Sequence, residues 1–138
     1  MRMDNLTPEQ RSRTMSLIRS KDTRPELTIR RLLHARGLRF RKHMPELPGK
    51  PDLVFISAKV VVFVDGDYWH GWRFPKWRHK LAPYWRRKIE GNRSRDQRTF
   101  RRLRRRGWFV LRLWEHQIEC SAERCIDRVE AAVRQRMT

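Results

Sequence analysis

The chain has 138 residues, and its 34 Lys and Arg against 15 Asp and Glu give a net charge of +19 at pH 7. This charge makes a polyanion the expected partner, while six Trp argue against a simple charge-neutralising protein of the ribosomal or DNA-packaging kind. No apolar run approaches the ~18 residues of a membrane helix, and we find no signal peptide or internal repeat. We therefore expect one domain over residues 1–138 with a basic arm at about 1–22.

Two helix starts lie near the beginning of the chain. The letters TPEQ at residues 7–10 are typical of a capped start with proline in the first turn, and they predict a short basic helix to residue 20. Thr23, with Glu26 three residues later, predicts a second helix start. Apolar residues at helical spacing continue this second helix to a stop at Gly37.

Three short apolar runs predict strands at residues 53–56, 60–64 and 108–114, the first two as an antiparallel pair. An aromatic loop at 66–77 follows the second strand. Two basic helices are predicted at 83–90 and 93–106 with Asn92 as the cap between them, and Ser121 caps a last helix. The order α–β–β–α–β–α predicts the α/β class, with a mixed central sheet flanked by helices.

Carboxylates stand at neighbouring ends of the first two predicted strands. Asp52 opens the first strand, and Asp65 and Asp67 follow the second. An antiparallel pair of this size brings these ends together. Each Asp alone would be an ordinary turn residue or helix cap, but carboxylates clustered beside phosphate need a cation between them. Hard oxygen ligands favour Mg²⁺, so the sequence predicts a magnesium site here.

A histidine and a further carboxylate could complete such a site. His70 lies next to the acidic strand end, where it could take a proton from water or be a surface residue. Asp96 shares one helix face with Phe100 and Leu103 at i, i+4 and i+7, so its carboxylate should point inward. An inward carboxylate needs a partner, which is either an arginine or His70.

Aromatic residues are concentrated in and after the loop at 66–77, namely Tyr68, Trp69, Trp72, Trp77 and Trp85. Core packing is the usual role of tryptophan. A loop interleaved with glycine and arginine is, however, a poor place for a core. Exposed aromatics among cations suit stacking on bases or wedging between them, so we expect this loop to contact DNA.

Five motifs occur in an order that resembles a known family. They are RSRTMSLIRSKDTRPE from residue 11, LPGKPD from 47, FVDGDYWHG from 63, KIEGNRSRD from 88 and GWFVLRLWE from 107. Together they resemble the very short patch repair (Vsr) endonucleases, which nick DNA beside T·G mismatches. The resemblance spans roughly residues 11 to 116 and implies a restriction-endonuclease-like fold with a PD-(D/E)xK-type core.

The resemblance also implies roles for individual residues. Mg²⁺ would be held by Asp52 and the backbone carbonyl of Val64, with Asp65 a less secure ligand. His70 would activate water and be oriented by Asp96, and Glu26 would be an accessory active-site residue; no lysine follows Asp65 closely, which supports His70 as the base. The residues expected to contact DNA are Tyr68, Trp69, Trp85 and Asn92, and in the N-terminal arm Arg11, Arg13, Arg19 and Lys21.

One departure from the family concerns its common structural zinc. The family has cysteines at three places that hold Asp67, Phe74 and His116 here. A four-ligand Cys/His site cannot be assembled from these residues, so we expect no structural zinc. Tight packing of the additional Trp residues could stabilise the loop in its place.

The expected partner is double-stranded DNA carrying a mismatch, with mismatch-repair proteins as further partners and a monomer as the active species. Cys120 and Cys125 form no C-x-x-C pair and predict ordinary reduced thiols, which fits a bacterial cytoplasmic protein that joins the nucleoid when bound to DNA. Two alternatives are a restriction or phage-defence nuclease without mismatch preference, and a non-catalytic DNA-binding protein whose acidic residues cap turns.

Overall fold

The computed structural model describes residues 23–137, which form three α-helices, two short 3₁₀ helices (Phe74–Lys76 and Arg78–Lys80) and one four-stranded sheet. In chain order the elements are α1 (Arg24–Ala35), β1 (Arg41–Lys42), β2 (Leu53–Phe55), β3 (Val60–Asp65), α2 (Pro83–Arg105), β4 (Phe109–Trp114) and α3 (Glu115–Met137). The helix predicted from residue 7 lies outside the described residues, as do Arg11, Arg13, Arg19 and Lys21. None of the helices at 23–137 is both long and apolar enough to cross a membrane.

The sheet is mixed, as predicted. Its strands lie in the order β1-β2-β3-β4; β2 pairs antiparallel with both β1 and β3, and β4 joins β3 in parallel through the α2 crossover. The β3–β4 register runs from Val60 opposite Phe109 to Asp65 opposite Trp114. Strand β1 was not predicted, because its two exposed, charged residues show no apolar alternation.

Alternation along the strands divides the core into two layers. Leu53, Val60 and Val62 face α1 and α3, which bury Ile29, Leu33, Ile126 and Val129 against them. Val54, Val61 and Phe63 face the opposite side, where Phe100 and Leu103 of α2 cover them. Because successive side chains of a strand point to opposite faces, α1 and α2 pack on opposite sides of the sheet.

The prediction of two basic helices divided at Asn92 is wrong, because α2 continues through this position as one helix of 23 residues. Asn92 is buried, and its Nδ2 donates to the backbone carbonyl of Trp69 at 2.9 Å. The Asn92 side chain is therefore engaged by the loop and does not cap the start of a second helix. Ser121 does cap a helix turn inside α3: its backbone is non-helical and its Oγ accepts from the Arg124 N–H at 3.3 Å.

The aromatic loop builds a small core of its own, which corrects the expectation that it is a poor place for one. Phe74, Leu81 and Trp85 are buried with Ile89, and Tyr68, Trp69 and Trp77 pack against them. Helix α2 supplies the apolar surface on which the loop closes. Gly71 has φ +71°, and a Cβ there would lie 2.8 Å from Ile89 Cγ2, so the close approach of loop and helix requires glycine.

Candidate active site

Asp52 lies at the start of β2, directly after the turn in LPGKPD. Gly49 in that turn has φ +76°, and a Cβ there would lie 2.4 Å from Thr99 Cγ2 of α2, so only glycine allows the turn to pack this closely. Asp52 Oδ2 accepts a hydrogen bond of 2.6 Å from the backbone N–H of Val64. The N–H and C=O of a strand residue point to the same side, so the Val64 carbonyl faces the same strand edge as Asp52.

The pKa of Asp52 is raised to about 8, first by burial of the carboxyl group and then by the nearby carboxylates of Glu26 and Asp65, against the lowering effect of the Val64 N–H. Desolvation and like charges both disfavour the ionised form. Without a cation, the carboxyl group therefore holds a proton near neutral pH. A divalent cation would replace that proton and restore the carboxylate, which is the chemistry expected of a metal ligand.

His70 lies in the loop after β3 and contacts two carboxylates. Its Nδ1 is 2.8 Å from Asp96 Oδ2, and its Nε2 is 3.4 Å from Asp65 Oδ1. Both partners suggested for Asp96 are present, because Arg112 Nη2 also donates to Asp96 Oδ2 at 2.7 Å. Asp96 points inward from α2 as its spacing with Phe100 and Leu103 predicted, and a carboxylate on one ring nitrogen orients the imidazole.

Burial of His70 acts to lower its pKa, but the hydrogen bond that His70 donates to Asp96 and the charges of Asp65 and Asp96 outweigh this effect, so the pKa of His70 is raised. Burial raises the pKa of Asp65, while His70 and Arg112 oppose this rise. Asp65 and Asp96 are thus tied into one ion-pair network around His70, with Arg112 as the central cation.

Arg112 is a site residue that the sequence analysis missed. It lies on β4, opposite Phe63 of β3, and its Nε donates to Asp65 Oδ2 at 2.7 Å. Alternation in the FVLRLW strand could have indicated that it faces the α2 side. Because the positive charge of Arg112 already neutralises Asp65, Asp65 should bind a divalent cation less well than Asp52 does. No arginine among residues 23–137 pairs with Asp52.

A second histidine contacts the site from the α1 side and was also missed. His43 Nε2 lies 2.6 Å from Glu26 Oε2 and 4.0 Å from Asp52 Oδ1. Glu26 is buried and also pairs with Arg30 one turn along α1, so its carboxylate does more than the capping-box role suggested by TRPE. His43 could not be found from spacing, because only packing of α1 against the sheet brings these three residues together.

Two of the three residues at the places of the family's zinc cysteines contact each other, and none of the three has a thiol. Asp67 Oδ1 lies 2.8 Å from His116 Nδ1, and the rings of Trp72 and His116 pack in a tilted arrangement with their centroids 4.0 Å apart. Phe74 is buried and has no ligand atom. Two donors remain where zinc needs four, so these residues do not fit a structural zinc ion and instead tie the loop to the start of α3 directly.

The aromatics expected to contact DNA differ in exposure. Tyr68 and Trp69 are half-buried and stack at 6.3 Å between ring centroids. Trp85 is only 6% exposed and packs against Trp69. In this conformation the ring of Trp69 is more accessible than that of Trp85, and Lys88 Nζ lies 5.7 Å from the Trp69 ring centroid.

Comparison with known proteins identifies the family. The family model described as DNA mismatch endonuclease Vsr matches residues 3–76, more than half of the chain. The chain belongs to the Vsr endonuclease family. It is 42% identical over 138 residues to the type II nicking enzyme V.NmeDIP of Neisseria meningitidis serogroup C, covering 96% of this chain and 91% of that protein.

Two further Vsr-family relatives extend the comparison. The chain is 47% identical over 120 residues to the type II nicking enzyme V.XorIIP of Xanthomonas oryzae pv. oryzae, covering 83% of this chain and 86% of the relative. It is 37% identical over 110 residues to the DNA mismatch endonuclease Vsr of Escherichia coli, covering 76% and 69%. This Vsr-family chain is therefore a DNA endonuclease with the restriction-endonuclease-like α/β architecture described above.

Proposed function

We propose that this Vsr-family endonuclease uses Mg²⁺ to nick one strand of duplex DNA beside a T·G mismatch. The observation that carries the catalytic part is the His70–Asp96 hydrogen bond of 2.8 Å, which lies in one cluster with the strand-end carboxylate Asp65. Asp52 belongs to a neighbouring cluster, close enough for the charge of Asp65 to affect its pKa. This arrangement supplies an oriented base beside carboxylates suited to a cation, which is the combination that phosphodiester hydrolysis needs.

Asp52 would hold the cation, with the Val64 carbonyl on the same strand edge and Glu26 close by. When bound, Mg²⁺ would polarise the scissile phosphate and balance the charge that develops on it. His70 Nε2 accepts a proton from water as the water oxygen forms its bond to phosphorus. The bond from phosphorus to the bridging oxygen breaks, and that oxygen takes a proton from solvent. Asp65, 3.4 Å from Nε2, stabilises the resulting imidazolium.

Asp96 and Arg112 are the groups that keep this base in position. Asp96 Oδ2 accepts from both His70 Nδ1 and Arg112 Nη2. This leaves His70 Nε2 directed away from Asp96 and toward the strand end. Arg112 offsets part of the negative charge of the two carboxylates, which reduces their repulsion of the phosphate, and its own charge acts to lower the pKa of His70.

The nicking and mismatch parts rest on different features. One His70–Asp96 pair and one Asp52 per chain suit cleavage of one strand by a monomer. The half-buried Trp69 and Tyr68 suit insertion beside a weakly stacked pair, because opening a base step costs less at a mismatch. Three relatives named above carry "nicking enzyme" or "mismatch endonuclease" in their names, which supports the proposal by analogy.

The test uses supercoiled plasmid and short duplexes that differ only in one T·G or T·A pair, with and without Mg²⁺. We expect metal-dependent nicks in one strand beside the T·G pair and their loss in Asp52→Ala. The matched control is Asp127→Ala, whose carboxylate is exposed on α3. Equal cutting of both duplexes would favour the restriction or defence nuclease, and binding without metal-dependent cutting would favour a non-catalytic protein.

A further inference from the structure

Three potential metal ligands converge from three separate segments. Glu26 of α1, His43 after β1 and Asp52 before β2 each offer one ligand atom, and these atoms all lie within 4.8 Å of one another. His43 Nε2 is the atom between the two carboxylates, 2.6 Å from Glu26 Oε2 and 4.0 Å from Asp52 Oδ1. The three atoms are close enough together to meet one small cation, which would take the place of the proton shared between His43 and Glu26.

The backbone of His43 is held beside Asp52. His43 N–H donates to the Asp52 carbonyl at 3.3 Å, and His43 has φ +49°. Positive φ is uncommon for a residue other than glycine and is found where the surrounding structure over-determines it, often at functional sites. This conformation directs the imidazole toward the carboxylates rather than along the exposed edge of β1.

Solvent and substrate can reach His43. It lines a surface cavity of about 600 Å³ together with the basic side chains of Arg41 and Lys42. A hydrated cation can enter this cavity, and the basic lining suits the phosphodiester that must follow it. The two clusters differ in their arginines: around His70, Arg112 bonds to both carboxylates within 2.7 Å. In the His43 cluster Arg30 pairs with Glu26 alone, and no arginine among residues 23–137 pairs with Asp52.

We infer that His43 is a nitrogen ligand of the active-site cation, completing an oxygen–nitrogen–oxygen set with Glu26 and Asp52. This inference rests on the proposed cation-dependent function and changes the ligand set assigned there, in which only oxygen atoms contact the metal. Mg²⁺ prefers oxygen and keeps several waters. An imidazole nitrogen suits transition ions better than Mg²⁺, and increasingly so along the series from Mn²⁺ to Cu²⁺, so the site should hold Mn²⁺, and above all Co²⁺, more tightly than Mg²⁺.

The experiment measures metal binding directly. The parent protein, free of DNA, is titrated with Mn²⁺ and followed by electron paramagnetic resonance, with pulsed detection of coupling to imidazole ¹⁴N. We expect one site whose ¹⁴N coupling is lost in His43→Ala, with Mn²⁺ affinity falling ~10-fold or more and Mg²⁺ affinity falling less. His70→Ala and His34→Ala, the latter altering an exposed histidine of α1, should keep the coupling.

A second variant separates ligation from folding. His43→Gln can keep a hydrogen bond to Glu26 but has no imidazole, so it should fold with the parent's circular dichroism and still lose the ¹⁴N coupling. Absence of the coupling in the parent, its survival in both His43 variants, or unchanged Mn²⁺ affinity in His43→Ala would each overturn the inference. Because no DNA is cut in this assay, failure of the nicking reaction would count against the proposed function alone.

Discussion

His70 and Asp96 are joined by a hydrogen bond of 2.8 Å between Nδ1 and Oδ2, although 26 positions separate them in the chain. His70 lies in the loop after β3 and Asp96 on α2, and Asn92, one turn earlier on the helix, binds the carbonyl of Trp69 beside His70. Two hydrogen bonds from one face of α2 therefore fix the position of the backbone beside His70 and the orientation of its imidazole ring.

The first prediction concerns this base. His70→Ala should lower the cleavage rate ~10²–10⁴-fold, the usual contribution of general-base catalysis. The pKa of His70 is raised, so the rate should increase with pH through a midpoint above the ordinary histidine value. Asp96→Asn should move that midpoint down, because a partner that stabilises the charged imidazole is lost. Single-turnover rates across pH test this, and a midpoint that Asp96→Asn leaves in place would assign the base elsewhere.

A second prediction concerns stability. The pKa of Asp52 rises from 3.8 to about 8 on folding, so the folded state loses stability as the pH rises between these values. Asp52→Asn cannot ionise and should be more stable than the parent at pH 8, by about 1–3 kcal/mol for a buried group relieved of its charge, while losing cleavage. The two should differ little near pH 4. Urea unfolding at both pH values without metal checks this, and equal stability at pH 8 would contradict it.

The same carboxyl group predicts a pH dependence of metal binding. Below about pH 8 a cation must displace the proton of Asp52, so the half-saturating Mg²⁺ concentration should fall ~10-fold per pH unit and level off above that value. Calorimetric titrations from pH 6 to 9 measure it, with Asp127→Ala as the control. A half-saturation that is constant over this range would show that Asp52 is already ionised without metal.

A fourth prediction concerns the loop anchor. Purified, tag-free protein should contain no stoichiometric zinc, and EDTA should leave its melting temperature unchanged, because Asp67 and His116 pair directly at 2.8 Å. His116→Ala should lower the melting temperature by a few degrees, as expected for ~1 kcal/mol from a partly exposed ion pair. Exposed His79→Ala is the control. One zinc ion held per chain would refute the prediction.

The last prediction concerns mismatch preference. Trp69→Ala should bind matched duplex about as well as the parent, since phosphate contacts supply most of that affinity. It should lose ~1–3 kcal/mol of preference for the T·G duplex, the size of one stacking contact. Trp108→Ala is the control, because this Trp packs on the opposite end of α2 near Lys59. Binding curves for the matched and T·G duplexes, measured at one salt concentration for each protein, test this. If Trp69→Ala keeps the parent's full preference for the T·G duplex, Trp69 serves only in packing the loop core.

Several features were predictable because they depend on neighbouring residues alone. The β-branched runs gave β2 and β3 to within one residue, since short apolar runs bounded by turn residues form strands wherever they are buried. The inward direction of Asp96 followed from its helical spacing with Phe100 and Leu103. The order of the motifs predicted the family, and the order of the helices and strands predicted the α/β class, because neither order depends on how the elements pack.

Tertiary packing decided the rest. Helix α2 continues through Asn92 because the Trp69 carbonyl satisfies that side chain, and the loop has a core because Ile89 of α2 lies beneath it. Arg112 and His43 enter the site only because β4 aligns with β3 and α1 packs across the sheet. Contacts between residues of different helices and strands produce no periodic pattern in the sequence. The distance between such residues depends on how the helices pack on the sheet and not on their separation along the chain.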